Sequence, residues 1–351
     1  MPQFGDLVIL ASPRGKRHIY RLDPNQDIHT QDGVMRAADI VAADFGTEVR
    51  TAKGVPFRLE QPQLFDLVMG IKRQTQIMYP KDMGLICFKL GVGNGRTILE
   101  AGSGSGGFTI ALSWFSGPNG HVHTFEAREE FHKLAKRNLD WAGVGQNVTL
   151  HHRDISNGFG IDDPEVLNGQ KGDALFLDVR TPWEYLGHAR AALKPGAPIA
   201  FLLPTVEQVS ELIHALELEP FEETEVCEIL VRPWKVVPGR LRPNDRMAAH
   251  TAFLVFTRIQ ERSADWDARI PMGTRERKQE AARQARLAEA RGEEGRGREE
   301  VRLHHMRLRS RGRYARGLRV PHLQARQRGL RGAEIARLSA RGNKKYILRK
   351  W

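Results

Sequence analysis

Short apolar runs, each followed by a segment with apolar residues at helical spacing, recur through the middle of the chain and predict an α/β alternation. Strands are expected at Thr97–Ala101, Gly120–Phe125, Val148–His152, Asp173–Val179 and Pro198–Leu203. Helices are expected at Gly107–Phe115, Arg128–Ala142, Tyr185–Leu193 and Val206–Leu216. Strands separated by helices of this length imply a mostly parallel sheet. The late segments Phe221–Val231 and Thr251–Thr257 read as an antiparallel ending.

Upstream the pattern changes. Asp6–Leu10 and Arg17–Tyr20 are short strand patterns around a Ser12–Gly15 turn, and Thr47–Thr51 and Pro56–Leu59 flank Lys53–Gly54. Residues 1–60 therefore read as a small β-rich N-terminal domain, long enough for a barrel-like cap but too short for the main chemistry. A linker at Glu60–Pro62 leads into the helical pattern of Leu64, Leu67, Val68 and Ile71, and residues 61–265 read as one α/β domain.

Charge separates the last part of the chain. Residues 271–351 hold 24 Lys/Arg against 8 Asp/Glu, a net +16, whereas the preceding 270 residues hold 30 against 34, a net −4. Residues 266–351 thus form a basic extension, expected to be disordered or partly helical, with Arg275–Arg291 as a solvated helix. Such a segment binds phosphates with little sequence discrimination. No stretch approaches the roughly 20 apolar residues that cross a bilayer, and the start MPQFGDLVIL lacks the basic region of a secretory signal. The two cysteines, Cys87 and Cys227, make neither a disulfide framework nor a zinc site. A reducing, cytoplasmic setting without membrane or metal is the expectation.

The most telling chemistry follows the strand Thr97–Ala101. Gly102, Ser103, Gly104, Ser105 and Gly107 lead from it into a helix, a cradle of small residues that lets a nucleotide-type cofactor approach the backbone. The spacing of Gly102, Gly104 and Gly107 also satisfies the dinucleotide fingerprint, so a nicotinamide-dependent oxidoreductase stays open. Glu100, two residues before the loop, would repel a pyrophosphate but suits the sulfonium-bearing methionine part of S-adenosylmethionine. Ligands of open α/β sheets sit at the carboxyl ends of strands. There Glu126 is placed to accept from ribose hydroxyls, Asp154 from an adenine amino group, and Asp178 lies where substrate would meet a reactive methyl.

Three separated stretches carry a resemblance: RQTQIMYPKDMGLICFKLGVGNGRTILEAGSGSGG (73–107), DALFLDVRTPWEYLGHARAALKPG (173–196) and GRLRPNDRMAAHTAFLVFTR (239–258). Together they resemble the tRNA adenine-N1 methyltransferases that modify position 58 of the T-loop, over nearly all of residues 1–260. The resemblance implies a Rossmann-like catalytic domain with a small N-terminal β domain, S-adenosylmethionine as cofactor, tRNA as partner and a homotetramer. Archaeal relatives also methylate adenosine 57. Residue by residue, it implies Gln76 and Tyr79 near cofactor and target base, Gly102–Ser105 as cofactor loop, Glu126 at the ribose, Asp154 at the adenine and Asp178 as the catalytic aspartate. Arg246 and His250 fall in the last motif without an assigned role. The motif DVRTPW differs from the D-L-P-x-P-W form common in bacterial relatives but keeps Asp178, Pro182 and Trp183. The implied mechanism is direct methyl transfer to adenine N1, with Asp178 stabilising the cation formed and Tyr79 stacking on or orienting the base. An inactive RNA-binding protein on the same scaffold is the non-enzymatic alternative.

Overall fold

In the computed structural model, residues 1–74, 76–260, 279 and 281–288 are described. The chain divides into two units, Met1–Gly273 and Thr274–Trp351. Of the second, residues 281–288 are helical, within the expected Arg275–Arg291 helix. The remaining expectations for the basic extension lie outside the described residues.

The first unit begins with strands β1 (Leu7–Ala11), β2 (Arg17–Arg21), β3 (Ile28–Thr30) and β4 (Gly33–Met35). Helix α1 (Ala37–Val41) and strands β5 (Glu48–Arg50) and β6 (Pro56–Glu60) follow. A four-stranded antiparallel sheet in the order β2-β1-β6-β5 and the hairpin β3–β4 enclose Val8, Leu10, Leu22, Met35, Ile40, Phe57 and Leu59. Arg21 fastens this sheet to the rest of the unit by donating to the carbonyls of Asp140 and Trp141, at the end of a later helix. A cation there complements the negative end of the helix dipole.

Helices α2 (Leu64–Gly70) and α3 (Pro80–Leu90) then lead to strand β7 (Thr97–Ala101). Pro80 opens α3, where its missing N–H is not needed, and Gly91 closes it at φ +63°. Next come α4 (Gly107–Ser116), β8 (His121–Glu126), α5 (Glu129–Ala142), β9 (Val148–His152) and β10 (Ala174–Leu177). After a 3₁₀ turn at Pro182–Tyr185 follow α6 (Leu186–Ala192), β11 (Pro198–Leu203), α7 (Val206–Leu218) and β12 (Phe221–Cys227). The short strands β13 (Trp234–Lys235) and β14 (Arg242–Pro243) pair with each other before the final strand β15 (Phe253–Ile259).

The main sheet has seven strands in the order β12-β15-β11-β10-β7-β8-β9. Strands β7 to β11 are parallel, and β15 enters antiparallel beside β11 and β12. The mostly parallel sheet expected from the alternation and the Rossmann-like architecture implied by the resemblance are present, and the chain reversal lies between β7 and β10. Apolar residues point from both faces of the central strands: Ile98 and Phe176 pack under α2, α3 and α4, while Leu99, Leu175 and Phe201 pack under α6 and α7. Burial on both faces explains why these strands read as continuous apolar runs rather than alternating ones. No described helix is long and apolar enough to cross a membrane.

Candidate active site

Strand β7 ends where the chain must turn sharply. Gly102 (φ +93°), Gly104 (φ +52°) and Gly106 (φ +79°) adopt left-handed conformations that favour glycine. At Gly102 a side chain is also excluded by space, because a Cβ would stand 2.2 Å from the backbone carbonyl oxygen of Asp178. Asp178 arrives there as the continuation of β10, its N–H donating to the Ala101 carbonyl at 2.9 Å. The parallel pairing of β7 and β10 thus brings the glycine loop and Asp178 together from positions 76 residues apart.

A cavity of about 190 Å³ opens at this point. Of the residues expected at the site, Gln76, Glu100, Gly102, Ser103, Gly104, Ser105, Gly107 and Asp178 line it. Ile77, Met78, Phe108 and Arg128 complete the wall. Larger cavities exist elsewhere, so volume does not single this one out; the convergence of carboxylates, glycine backbone and a helix start does.

Glu126, at the end of β8, reaches under the loop. Its carboxylate accepts from the Gly104 N–H at 3.0 Å, and from the backbone N–H and Nε of Arg128 at 3.1 and 3.0 Å. Glu100 is fully buried on β7 and accepts from the Thr109 hydroxyl at 2.6 Å. Burial pushes its carboxyl up to about 7, against the lowering effect of Thr109 and Thr124, with Asp178 and Glu126 raising it further. Asp178 is open to solvent on the cavity side while protein surrounds it elsewhere. That desolvation, helped by the Glu126 charge and opposed by Arg128, pushes its carboxyl up to about 6.

Three carboxyl groups therefore face one guanidinium. Such a field disfavours a pyrophosphate and favours a ligand with positive charge. The Gly104 N–H, which a phosphate would need, is held by Glu126. The Ser105 hydroxyl is buried against the cavity with no partner among the described residues. An orphaned hydroxyl of this kind costs about 1–3 kcal/mol unless a ligand or water meets it. The left-handed glycine backbone, the unpartnered Ser105 hydroxyl and the carboxylate cluster fit the polar, cationic S-adenosylmethionine expected from the sequence.

The remaining expected residues lie apart from the cavity wall. Asp154 follows β9 and caps a 3₁₀ turn, accepting from the Ser156 N–H at 2.9 Å. Tyr79 stands at the start of α3, partly exposed, with the Lys81 ammonium 5.9 Å from its ring centre. His250 lies at the end of β11, its Nδ1 2.6 Å from Glu228 Oε2 and its Nε2 3.3 Å from the Pro204 carbonyl. The Glu228 carboxylate and that carbonyl raise its imidazole above the ordinary histidine value. Arg246 sits on the exposed segment between β14 and β15.

Two features escaped the sequence reading. Asn138, buried on α5, accepts from the Lys72 N–H at 3.1 Å and donates to the carbonyls of Lys72 (2.9 Å) and Ser105 (2.7 Å). It ties the segment before Gln76 to the glycine loop. Near Tyr79, the Lys81 ammonium bridges Asp82 and Thr251 at 2.8 and 2.6 Å, and the Thr251 hydroxyl closes the ring to Asp82 at 2.9 Å. Neither was visible from spacing, since Asn138 and Lys72 are 66 positions apart and Lys81 and Thr251 are 170 apart.

The fold and this site define the class of Rossmann-like methyltransferases. The family described as "tRNA methyltransferase complex GCD14 subunit" matches residues 59–252. The tRNA (adenine(57)-N(1)/adenine(58)-N(1))-methyltransferase TrmI of Methanocaldococcus jannaschii is 31% identical over 275 residues, covering 73% of this chain and 96% of the relative. Among solved structures, a tRNA (m1A58) methyltransferase TrmI from Aquifex aeolicus is 35% identical with a TM-score of 0.62, covering 74% of this chain and 99% of the other. A SAM-dependent O-methyltransferase from Thermotoga maritima is 39% identical with a TM-score of 0.67, covering 75% and 96%. This chain belongs to the tRNA (adenine-58-N1)-methyltransferase family.

Proposed function

We propose that the protein transfers a methyl group from S-adenosylmethionine to N1 of adenosine 58 in the tRNA T-loop. The observation that carries this reading is the meeting of Gly102 and Asp178, which sets a cofactor cradle and a substrate-facing carboxylate side by side at one sheet end. Family membership, with curated relatives named for this reaction, separates it from the nicotinamide-dependent alternative and supports an active enzyme over a retired scaffold. The O-methyltransferase description of the Thermotoga protein points to an oxygen acceptor, but a hydroxyl needs a base to remove its proton, whereas adenine N1 already offers a lone pair.

When bound, S-adenosylmethionine supplies the methyl group, and methylation leaves the base cationic. The glycine loop and the Ser105 hydroxyl hold the cofactor's polar part, and Glu126 accepts from its ribose. Asp178, ionised, accepts from the adenine N6 amino group and stabilises the positive charge developing on the ring. Positioning and electrostatics of this kind supply the rate, with no covalent intermediate. Tyr79, the residue after Met78 of the wall, stacks on or orients the base once it leaves its own stack, which costs a few kcal/mol. Asp154 caps its turn with one carboxylate oxygen and has the other available to accept from the cofactor adenine.

A homotetramer is the assembly we infer. The segment between β12 and β15 exposes Leu230, Val231, Trp234, Val236 and Leu241. An apolar patch of that extent marks an interaction surface. Action on tRNA implies a cytoplasmic protein. The reading is tested with labelled S-adenosylmethionine and two tRNA transcripts that differ only in carrying adenosine or guanosine at position 58. Label enters the first alone if the reading is right; equal labelling of both contradicts it.

A further inference from the structure

A second cavity, of about 590 Å³, lies between the N-terminal sheet and helices α2 and α5. Its walls combine two kinds of surface. Phe65 and Met69 of α2, both exposed, face Trp141 at the end of α5 across an apolar gap. Gly70 keeps the gap closed at its base, since a Cβ there would stand 2.7 Å from the Trp141 ring. Lys72 and Arg137 stand at the edge, and neither side chain takes part in a hydrogen bond or ion pair among the described residues. The one carboxylate of the lining, Asp66, is held by Arg17 at 2.8 Å. The free charge of the cavity is therefore positive.

Flat aromatic walls beside unpaired cations suit one ligand chemistry, a base with its phosphate. Base–aromatic stacking favours any base in such a slot, and each cation set on a phosphate adds a salt-sensitive contribution. The cavity is also wired to the candidate active site: Asn138 forms part of its back wall and bonds the Ser105 carbonyl of the glycine loop at 2.7 Å. An RNA occupying it would lie against the N-terminal sheet while another part of the same molecule reached Asp178.

We propose that the cavity between the N-terminal sheet and α2/α5 takes an unstacked nucleotide of the substrate tRNA other than the methylated one, its base between Phe65 and Trp141 and its phosphate on Lys72 and Arg137. This rests on the tRNA-methyltransferase reading above. It gives the N-terminal sheet a role in recognition and makes Phe65, Lys72 and Arg137 determinants of tRNA affinity.

The test compares the full chain with Lys72→Glu/Arg137→Glu and, separately, with the uncharged change Phe65→Ala. Filter binding of tRNA across a salt series, calorimetry with S-adenosylhomocysteine and light scattering are measured for each. Both variants are expected to weaken tRNA binding, the double variant by about tenfold or more. The double variant also flattens the slope of log affinity against log salt by about 1–2, as for two lost phosphate contacts. S-adenosylhomocysteine affinity remains that of the parent, which shows that the catalytic domain is folded. Unchanged tRNA affinity and salt slope in both variants would overturn the proposal. So would dissociation into smaller species with tRNA affinity per protomer retained, because the cavity would then be an interface between copies of the chain. If instead the parent protein binds tRNA without methylating adenosine 58, the reading of the reaction fails while the cavity is still judged by the binding data.

Discussion

The carbonyl oxygen of Asp178 occupies the place that a side chain at Gly102 would need, 2.2 Å from where its Cβ would stand. The two residues follow neighbouring parallel strands, and their contact fixes how close the glycine loop comes to the Asp178 carboxylate. Gly102→Ala must either push β10 away or distort the loop, on top of the strain of an alanine at φ +93°. A destabilisation of at least about 1–3 kcal/mol is expected, with loss of S-adenosylhomocysteine binding in calorimetry. A variant that binds the ligand as the parent does would show that the contact is not limiting.

Asp178 must be ionised to stabilise a cationic base. Burial and the Glu126 charge push its carboxyl up to about 6, so kcat/KM for S-adenosylmethionine, which reports groups of the free enzyme, should rise with pH through about 6 and level off above it. Asp178→Asn keeps the shape and loses the charge. It is expected to bind S-adenosylhomocysteine normally and to slow transfer about 10²-fold or more, the scale for a positioned electrostatic group. The Glu126 charge is one cause of the raised value. Glu126→Gln should therefore move the acid limb of the profile to lower pH, and an unmoved limb would break the link between the two carboxylates.

Asn138 makes three hydrogen bonds from a buried side chain. Asn138→Ala leaves the Lys72 N–H and two carbonyls without it, and each buried polar group left unmet costs about 1–3 kcal/mol. Thermal unfolding should show that loss, and the KM for S-adenosylmethionine should rise more than the KM for tRNA because the glycine loop is released. Equal changes in both would assign Asn138 to stability alone.

An acid-sensitive element lies on the opposite face of the sheet. His123 Nδ1 and His151 Nε2 are 3.0 Å apart, and His151 stacks on Phe125. Burial lowers both imidazoles to about 4; His121 lowers both further, His151 lowers His123, and Arg153 acts against Asp163 at His151. The unfolded chain takes up protons near 6.5 and the folded chain only near 4, so the unfolded state binds more protons in between. Stability is full above about 6.5 and declines as pH falls toward 4, by up to about 1.4 kcal/mol per pH unit for each imidazole. Replacing both histidines with leucine should flatten the melting temperature between pH 7 and pH 5. An unchanged slope would place the acid sensitivity elsewhere.

Much of this architecture was legible in the sequence, and the reasons are physical. Thr97–Ala101 and Pro198–Leu203 are strands with the bounds their apolar runs suggested, because strands buried on both faces leave an unambiguous signature; the half-buried edge strand Val148–His152 also keeps its expected bounds. The expected strand Asp173–Val179 shortens to Ala174–Leu177, since Asp173 and Asp178 turn to side-chain and loop roles at its ends. Helix α3 was not anticipated: Pro80 at its start and Gly84 inside it mask a helical pattern that packing stabilises. Strands β3, β4, β13 and β14 span only two or three residues, too few to show a period. At the candidate site the glycine loop, Glu100 and Asp178 could be seen because strand ends carry ligand-facing residues. Asn138 and the Lys81–Asp82–Thr251 ring could not, because their meaning arises only when distant segments are packed together.

The account turns on one product. Purified protein is incubated with S-adenosylmethionine and an unmodified tRNA transcript, and the RNA is digested to fragments and nucleosides for mass mapping. 1-Methyladenosine at position 58 is expected, formed more slowly, by about 10²-fold or more, when Asp178→Asn replaces the parent under the same single-turnover conditions. A methyl group on a ribose or on another base, with adenosine 58 unmodified, would contradict it.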